Sequence, residues 1–78
     1  MENTQIEITD TFGGEANYSW VRRYAMNTAN NATNRAIVRR AKALAGWTGL
    51  RCITSDIGET IEVRPVGVCQ VMFIIFAQ

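Results

Sequence analysis

Seven cations stand within one stretch of this chain that contains no acid. Arg22, Arg23, Arg35, Arg39, Arg40, Lys42 and Arg51 lie between Ala16 and Ser55. The acids fall on either side: Glu2, Glu7, Asp10 and Glu15 before it, Asp56, Glu59 and Glu62 after it. Such a block creates a field that favours an anionic partner, unless strands bearing the acids fold beside it and neutralise it. Tyr18, Trp20 and Arg22 mix aromatic faces with a cation, a combination that suits stacking on nucleic-acid bases. Against a dedicated nucleic-acid domain, the net charge is only +1 and the sequence pI about 7.8. Domains committed to nucleic acid usually exceed about 9.

Catalysis finds little to work with. The chain has no histidine, hence no imidazole base and no ordinary nucleophile–histidine–acid triad. Its carboxylates are scattered, and Ser19 and Ser55 have no base nearby in sequence. Neither Cys52 nor Cys69 sits in a context that activates a thiolate, and two cysteines without histidines make no metal set. Arg22 and Arg23 beside Tyr24 are too few to define phosphoryl chemistry. The expectation is a binding protein rather than an enzyme, with no metal or cofactor, its partner surface formed by Tyr18, Trp20, Arg22, Arg23, Arg35, Arg39, Arg40 and Lys42.

The elements that must carry these residues can be read from periodicity. Gln5 to Asp10 alternates Ile6 and Ile8 with Glu7 and Thr9, as a strand with one wet face does. Gly13-Gly14 marks a turn, and Tyr18 to Tyr24 reads as a second strand with Tyr18, Trp20, Arg22 and Tyr24 on one side. Asn27 to Thr33 has a capping composition, and Asn34 to Ala45 reads as the one helix. Ile37, Ala41, Leu44 and Ala45, with Val38 at the edge, take its apolar side; Arg35, Arg39 and Lys42 take the opposite one, and Gly46 ends it. Short strands come next at Arg51 to Thr54 and Thr60 to Arg64. A bulged turn with Gly58 is expected between them, setting Ile53 opposite Ile61; the simpler two-residue turn would set Ile53 on the other face.

The last stretch, Val68 to Phe76, has one polar residue and is rich in β-branched and aromatic types. It reads as a strand covered on both faces and is far too short to span a bilayer as a helix, which takes about 20 residues. The expected fold is therefore α+β, ββαβββ: an antiparallel sheet with one helix on one face, in a single domain spanning 1–78. One helix covers one sheet face. With Cys69, Val71, Phe73 and Ile75 placed under it, Met72, Ile74 and Phe76 would form an exposed row, a homodimer or partner face. In such a meander Cys52 and Cys69 stand about two strand spacings of about 4.8 Å apart, beyond the span of a disulfide. Without a leader-like N-terminus or a long apolar run, the expectation is a cytoplasmic protein with no membrane partner.

The run Asp10 to Arg23, sharpest at Gly-Gly-Glu-Ala-Asn-Tyr-Ser-Trp-Val-Arg-Arg, resembles a segment of small phage- and prophage-encoded proteins. The Arg39 to Lys42 stretch and the hydrophobic final strand extend that resemblance over most of the chain. In size and style it is similar to anti-CRISPR proteins that inhibit type I (Cascade) systems. The resemblance implies a non-enzymatic inhibitor in the bacterial host cytoplasm, which docks on a subunit of the CRISPR surveillance complex and keeps target DNA out. The reading from another class is a small phage nucleic-acid-binding or regulatory module using the same arginines.

Overall fold

The computed structural model describes residues 3–29 and 32–76. Glu2 of the acidic flank, and Asn30 and Asn31 of the expected capping stretch, lie outside the described residues. The elements are β1 (Thr4–Phe12), β2 (Glu15–Met26), α1 (Asn34–Ala45), β3 (Cys52–Asp56), β4 (Thr60–Pro65) and β5 (Gln70–Phe76). They form one five-stranded antiparallel sheet in the order β2-β1-β5-β4-β3, the expected ββαβββ arrangement of an α+β fold.

Both ends of α1 are closed by local sequence. Thr33 is extended, and its hydroxyl accepts a hydrogen bond from the Ala36 amide at 3.1 Å, satisfying one of the free donors of the first turn. At the other end Gly46 takes a left-handed φ of 76°. The Gly46 amide then donates to the Ala43 carbonyl, and the Trp47 amide to that of Lys42 at 2.7 Å. This paired closure commonly sets an apolar residue just past the helix against the last turns. Here Trp47 fills that place, buried in the same cluster as Ile37 and Ala41. Leu44, expected on the apolar side, is instead largely exposed, because the helix buries a narrower stripe centred on Ile37 and Ala41.

The sheet buries its even-numbered residues on β1 and β5. Ile74 stands between Ile6 and Ile61, and Met72 between Ile8 and Val63; all six are inaccessible or nearly so and cluster with the helix. Met72 and Ile74 are therefore core, and Phe76 packs against that core partly buried. The expected dimer or partner face built on Met72, Ile74 and Phe76 is corrected accordingly. Cys69, Val71, Phe73 and Ile75 do not lie under the helix. The reason is register: side chains alternate with period two, so pairing with the Ile6/Ile8 and Ile61/Val63 rows fixes the facing of β5.

The β3–β4 turn departs from expectation for a related reason. Ile53 pairs with Arg64, not Ile61, and Asp56 pairs with Ile61. Gly58, with φ 86°, opens a tight turn closed by the Ile57 amide donating to the Thr60 carbonyl at 2.9 Å. A tight turn with a positive-φ glycine at its first central position needs no bulge. Ile53 is thereby turned to the helix-free face, 64% exposed.

That face is not an open apolar sheet. Phe73 lies between Glu7 and Glu62, and each carboxylate pairs with an arginine: Glu7 with Arg23 at 3.2 Å, Glu62 with Arg64 at 2.7 Å. Arg64 also donates to the Gly14 carbonyl at 2.7 Å, reaching across β5 to the tip of the β1–β2 hairpin. Val71 and Thr9, on the same face, are fully buried. Cys52 and Cys69 are both free, on chain segments separated by β4.

This facing is tested by two substitutions. Ile74→Asp buries an unpaired charge at a cost of several kcal/mol, a large share of the stability of a small domain, and should unfold the chain. Phe73→Asp should leave circular dichroism native with a lowered melting temperature. Trp47→Ala removes a buried indole from the helix closure and should cost about 3–5 kcal/mol in denaturant melts.

Candidate binding surfaces on the helix and the outer strand

The structure does not gather the expected partner residues in one place. On α1 the spacing of Arg35, Arg39 and Lys42 sets them in one stripe, while Arg40 points well away from it. Arg40 donates to the Asn27 carbonyl, just past β2, and lines a depression there with Met26 and Leu44. Lys42 donates through Nζ to the Leu50 carbonyl at 2.6 Å, on the approach to β3. The stripe thus borders the β3 side of the helix, and Arg40 the β2 side.

Between the stripe and the Thr48-Gly49 segment lies an open groove of about 390 Å³, lined by Arg35, Val38, Arg39, Lys42, Thr48 and Gly49. A second hollow of about 260 Å³ shares Arg35 and Val38 with it and continues over Thr54, Asp56 and Ile61. Asp56 is held there by Asn34, whose amide donates to its carboxylate at 3.0 Å. The groove thus begins among cations and ends beside an acid and an apolar wall.

On β2, Trp20, Arg22, Tyr24 and Met26 share the helix-bearing face, since Arg22 and Tyr24 pair with Ile8 and Ile6. Tyr24 packs on the core; Trp20 and Arg22 are exposed, with the guanidinium carbon of Arg22 5.4 Å from the Trp20 ring centroid. That stacking is a cation–π contact, which at an exposed site contributes about 0.5–1 kcal/mol. Arg23 goes to the opposite face and its ion pair with Glu7. It is the one cation of the acid-free block that meets a carboxylate in an ion pair among the described residues. Among the described residues, direct ion pairing of the block with neighbouring strands is confined to Arg23.

Tyr18 breaks the strand alternation. Between the Thr9–Val21 and Thr11–Ala16 pairs, residues 17–20 of β2 stand against Asp10 alone, and Tyr18 takes φ 57°. Asp10 holds this bulge together. Its carboxylate accepts from the Ser19 amide at 3.0 Å, the Ser19 hydroxyl at 2.6 Å and the Asn17 side-chain amide at 2.9 Å. Beneath it the Thr9 hydroxyl accepts from the Tyr18 amide at 2.9 Å and donates to the Trp20 carbonyl at 3.0 Å. The bulge is thus built from donors that only a deprotonated Asp10 can fully satisfy. The Ser19 hydroxyl foremost, then the Asn17 amide, lowers the Asp10 pKa to about 2. Sequence reasoning does not find Asp10, Asn17 and Ser19 as a unit. The one signal for it is an acid and short polar residues placed on either side of the paired glycines.

Among the described residues no three of the cysteine, aspartate and glutamate side chains gather as a metal site, and no helix is long and apolar enough to cross a membrane. Comparison with known protein families, curated proteins and solved structures finds no match to this chain.

The bulge carries a pH signature. A carboxylate whose folded pKa lies below its unfolded value of about 3.9 stabilises the fold fully above that pH. The contribution is lost as pH falls through the folded value. Thermal melts should therefore drop between about pH 4 and about pH 2, and Asp10→Asn should flatten that part of the profile. An Asp10→Asn profile that falls as steeply as wild type would show that other carboxylates govern it.

Proposed function

We propose that the protein is a non-enzymatic inhibitor that docks on a subunit of a type I CRISPR surveillance complex and blocks target DNA binding. It would act in the cytoplasm of the bacterial host. The resemblance of the Asp10 to Arg23 segment, extending over most of the chain, to small phage-encoded proteins, and the likeness in size and style to anti-CRISPR inhibitors, suggest the partner. One structural observation carries the docking reading. Of the seven cations in the acid-free block, only Arg23 is ion-paired to a carboxylate among the described residues. The others make no ion pair among the described residues, and their charge at the surface would steer encounter with an acidic partner patch and set its register. The acidic surface needed to imitate DNA is not what this charge pattern offers.

A second reading, a nucleic-acid-binding or regulatory module, is favoured by the exposed Trp20 with Arg22 stacked on it. An aromatic face beside a cation is what single-stranded bases stack upon. The two readings differ in partner. Tagged protein should retain a purified type I surveillance complex and suppress its target-DNA gel shift, while giving no shift with DNA or RNA alone. Reversal of Arg22, Arg35 and Arg39 to glutamate should abolish retention with circular dichroism unchanged. Retention that survives this reversal with unaltered salt dependence would remove the cationic surface from the interaction.

A further inference from the structure

We infer that the groove between α1 and the Thr48-Gly49 segment is a docking cleft for an acidic peptide segment of a partner protein. That segment would carry two carboxylates and, next to them, an apolar side chain. The inference rests on the docking reading above and gives it a place and a chemistry.

The cationic end of the groove fixes the carboxylates. Arg35 and Arg39 are one helical turn apart, about 5–6 Å between Cβ atoms, a separation that a pair of glutamates one turn apart also has. A guanidinium can take a carboxylate through two parallel N–H donors, which gives orientation as well as attraction. Lys42 adds a third charge at this end. Its Nζ is already held by the Leu50 carbonyl, so little side-chain freedom is lost on binding.

Beyond Arg39 and Lys42, where Arg35 shares the hollow with Asp56, the groove selects peptide over nucleic acid. The groove continues over Val38 into the hollow with Thr54, Ile61 and Asp56. A phosphodiester chain entering at Arg39 would bring its next charges against the Asp56 carboxylate, which Asn34 holds in place. A peptide can alternate acids with uncharged residues and set an apolar side chain against Val38 and Ile61. Asp56 therefore acts as a repulsive element against polyanions, while the cations attract any anion.

The test uses the intact chain, isotope-labelled and observed by amide NMR, which reads weak binding residue by residue. Three probes are titrated: a short peptide with two glutamates one turn apart and then leucine, its glutamine counterpart, and oligothymidylate. The first should shift amides at Val38, Arg39, Lys42, Thr48, Gly49 and Thr54, with affinity falling as salt is raised. Glutamine replacement should weaken it about tenfold, the sum of two exposed charge pairs with partial desolvation. Arg39→Glu should remove the shifts, and Asp56→Asn should strengthen oligothymidylate while leaving the peptide nearly unchanged. Equal shifts from the glutamine peptide, or tighter binding of oligothymidylate to the wild type, would overturn the inference. So would the absence of any shift up to the peptide's solubility. None of these outcomes depends on the surveillance complex. A chain that binds the peptide but is not retained by the complex overturns only the function proposed above. Retention without peptide binding overturns only the groove.

Discussion

The fold depends on one lateral row of side chains, Ile6, Ile74 and Ile61, with Ile8, Met72 and Val63 beside it. These six meet the narrow stripe of Ile37 and Ala41 and the indole of Trp47. Two hydrophobic faces on β5 would permit either facing. The strands on both sides of it do not, because each is apolar in only one parity. Once β1 and β4 pair with β5, shifting β5 by one residue would set Phe73 and Ile75 in the core and expel Ile74. The core would then have to be rebuilt around different volumes. The helix closure at Gly46 serves the same core, since it turns the chain so that Trp47 joins the cluster of Ile37 and Ala41.

The helix-free face shows how a small sheet avoids presenting an apolar surface. Phe73 is fenced by two carboxylate–arginine pairs, and the long aliphatic stems of such arginines can cover apolar surface while their heads stay wet. Arg64 does a second thing by holding the hairpin tip at Gly14. The hairpin itself is shaped by Asp10, which gathers donors from the Asn17 and Ser19 side chains and from the Ser19 backbone. The segment from Asp10 to Trp20 is thus accounted for by backbone architecture: paired glycines to turn, an acid and short polar residues to build the bulge. Its aromatic residues, Tyr18 and Trp20, are what the bulge leaves facing solvent.

Charge is the property that links this architecture to binding. The sheet consumes Arg23 and Arg64 in ion pairs on the helix-free face. The helix-bearing face keeps Arg22, Arg35, Arg39, Arg40 and Lys42 without carboxylate pairs among the described residues. The molecule is nearly neutral as a whole, yet its cations are paired with carboxylates on one face and, among the described residues, not on the other. Neighbouring elements split the cationic face further. The backbone carbonyls of Asn27 and Leu50 draw Arg40 and Lys42 to opposite flanks of α1.

The element order, the bounds of the helix and its basic stripe were legible in the sequence. Helical spacing, a threonine cap and a terminal glycine are local signals that tertiary contacts did not need to override. The acid-free block was equally plain, because charge is carried by residue type alone. The facing of β5 was not legible: a strand apolar on both sides contains no local signal for which side is covered, and only pairing with Ile6 and Ile61 decides it. The β3–β4 turn and the exposure of Ile53 show the same dependence, since the sequence allowed two turns of opposite facing. Which cations would stand together was likewise decided in three dimensions. Strand alternation alone already set Arg22 and Arg23 on opposite faces, whereas the meeting of Arg23 with Glu7 and the Asp10 bulge that removes Tyr18 from the alternation came only with the fold. Residue types set what each side chain could do; pairing register, a long-range property of the folded sheet, set which of them could act together.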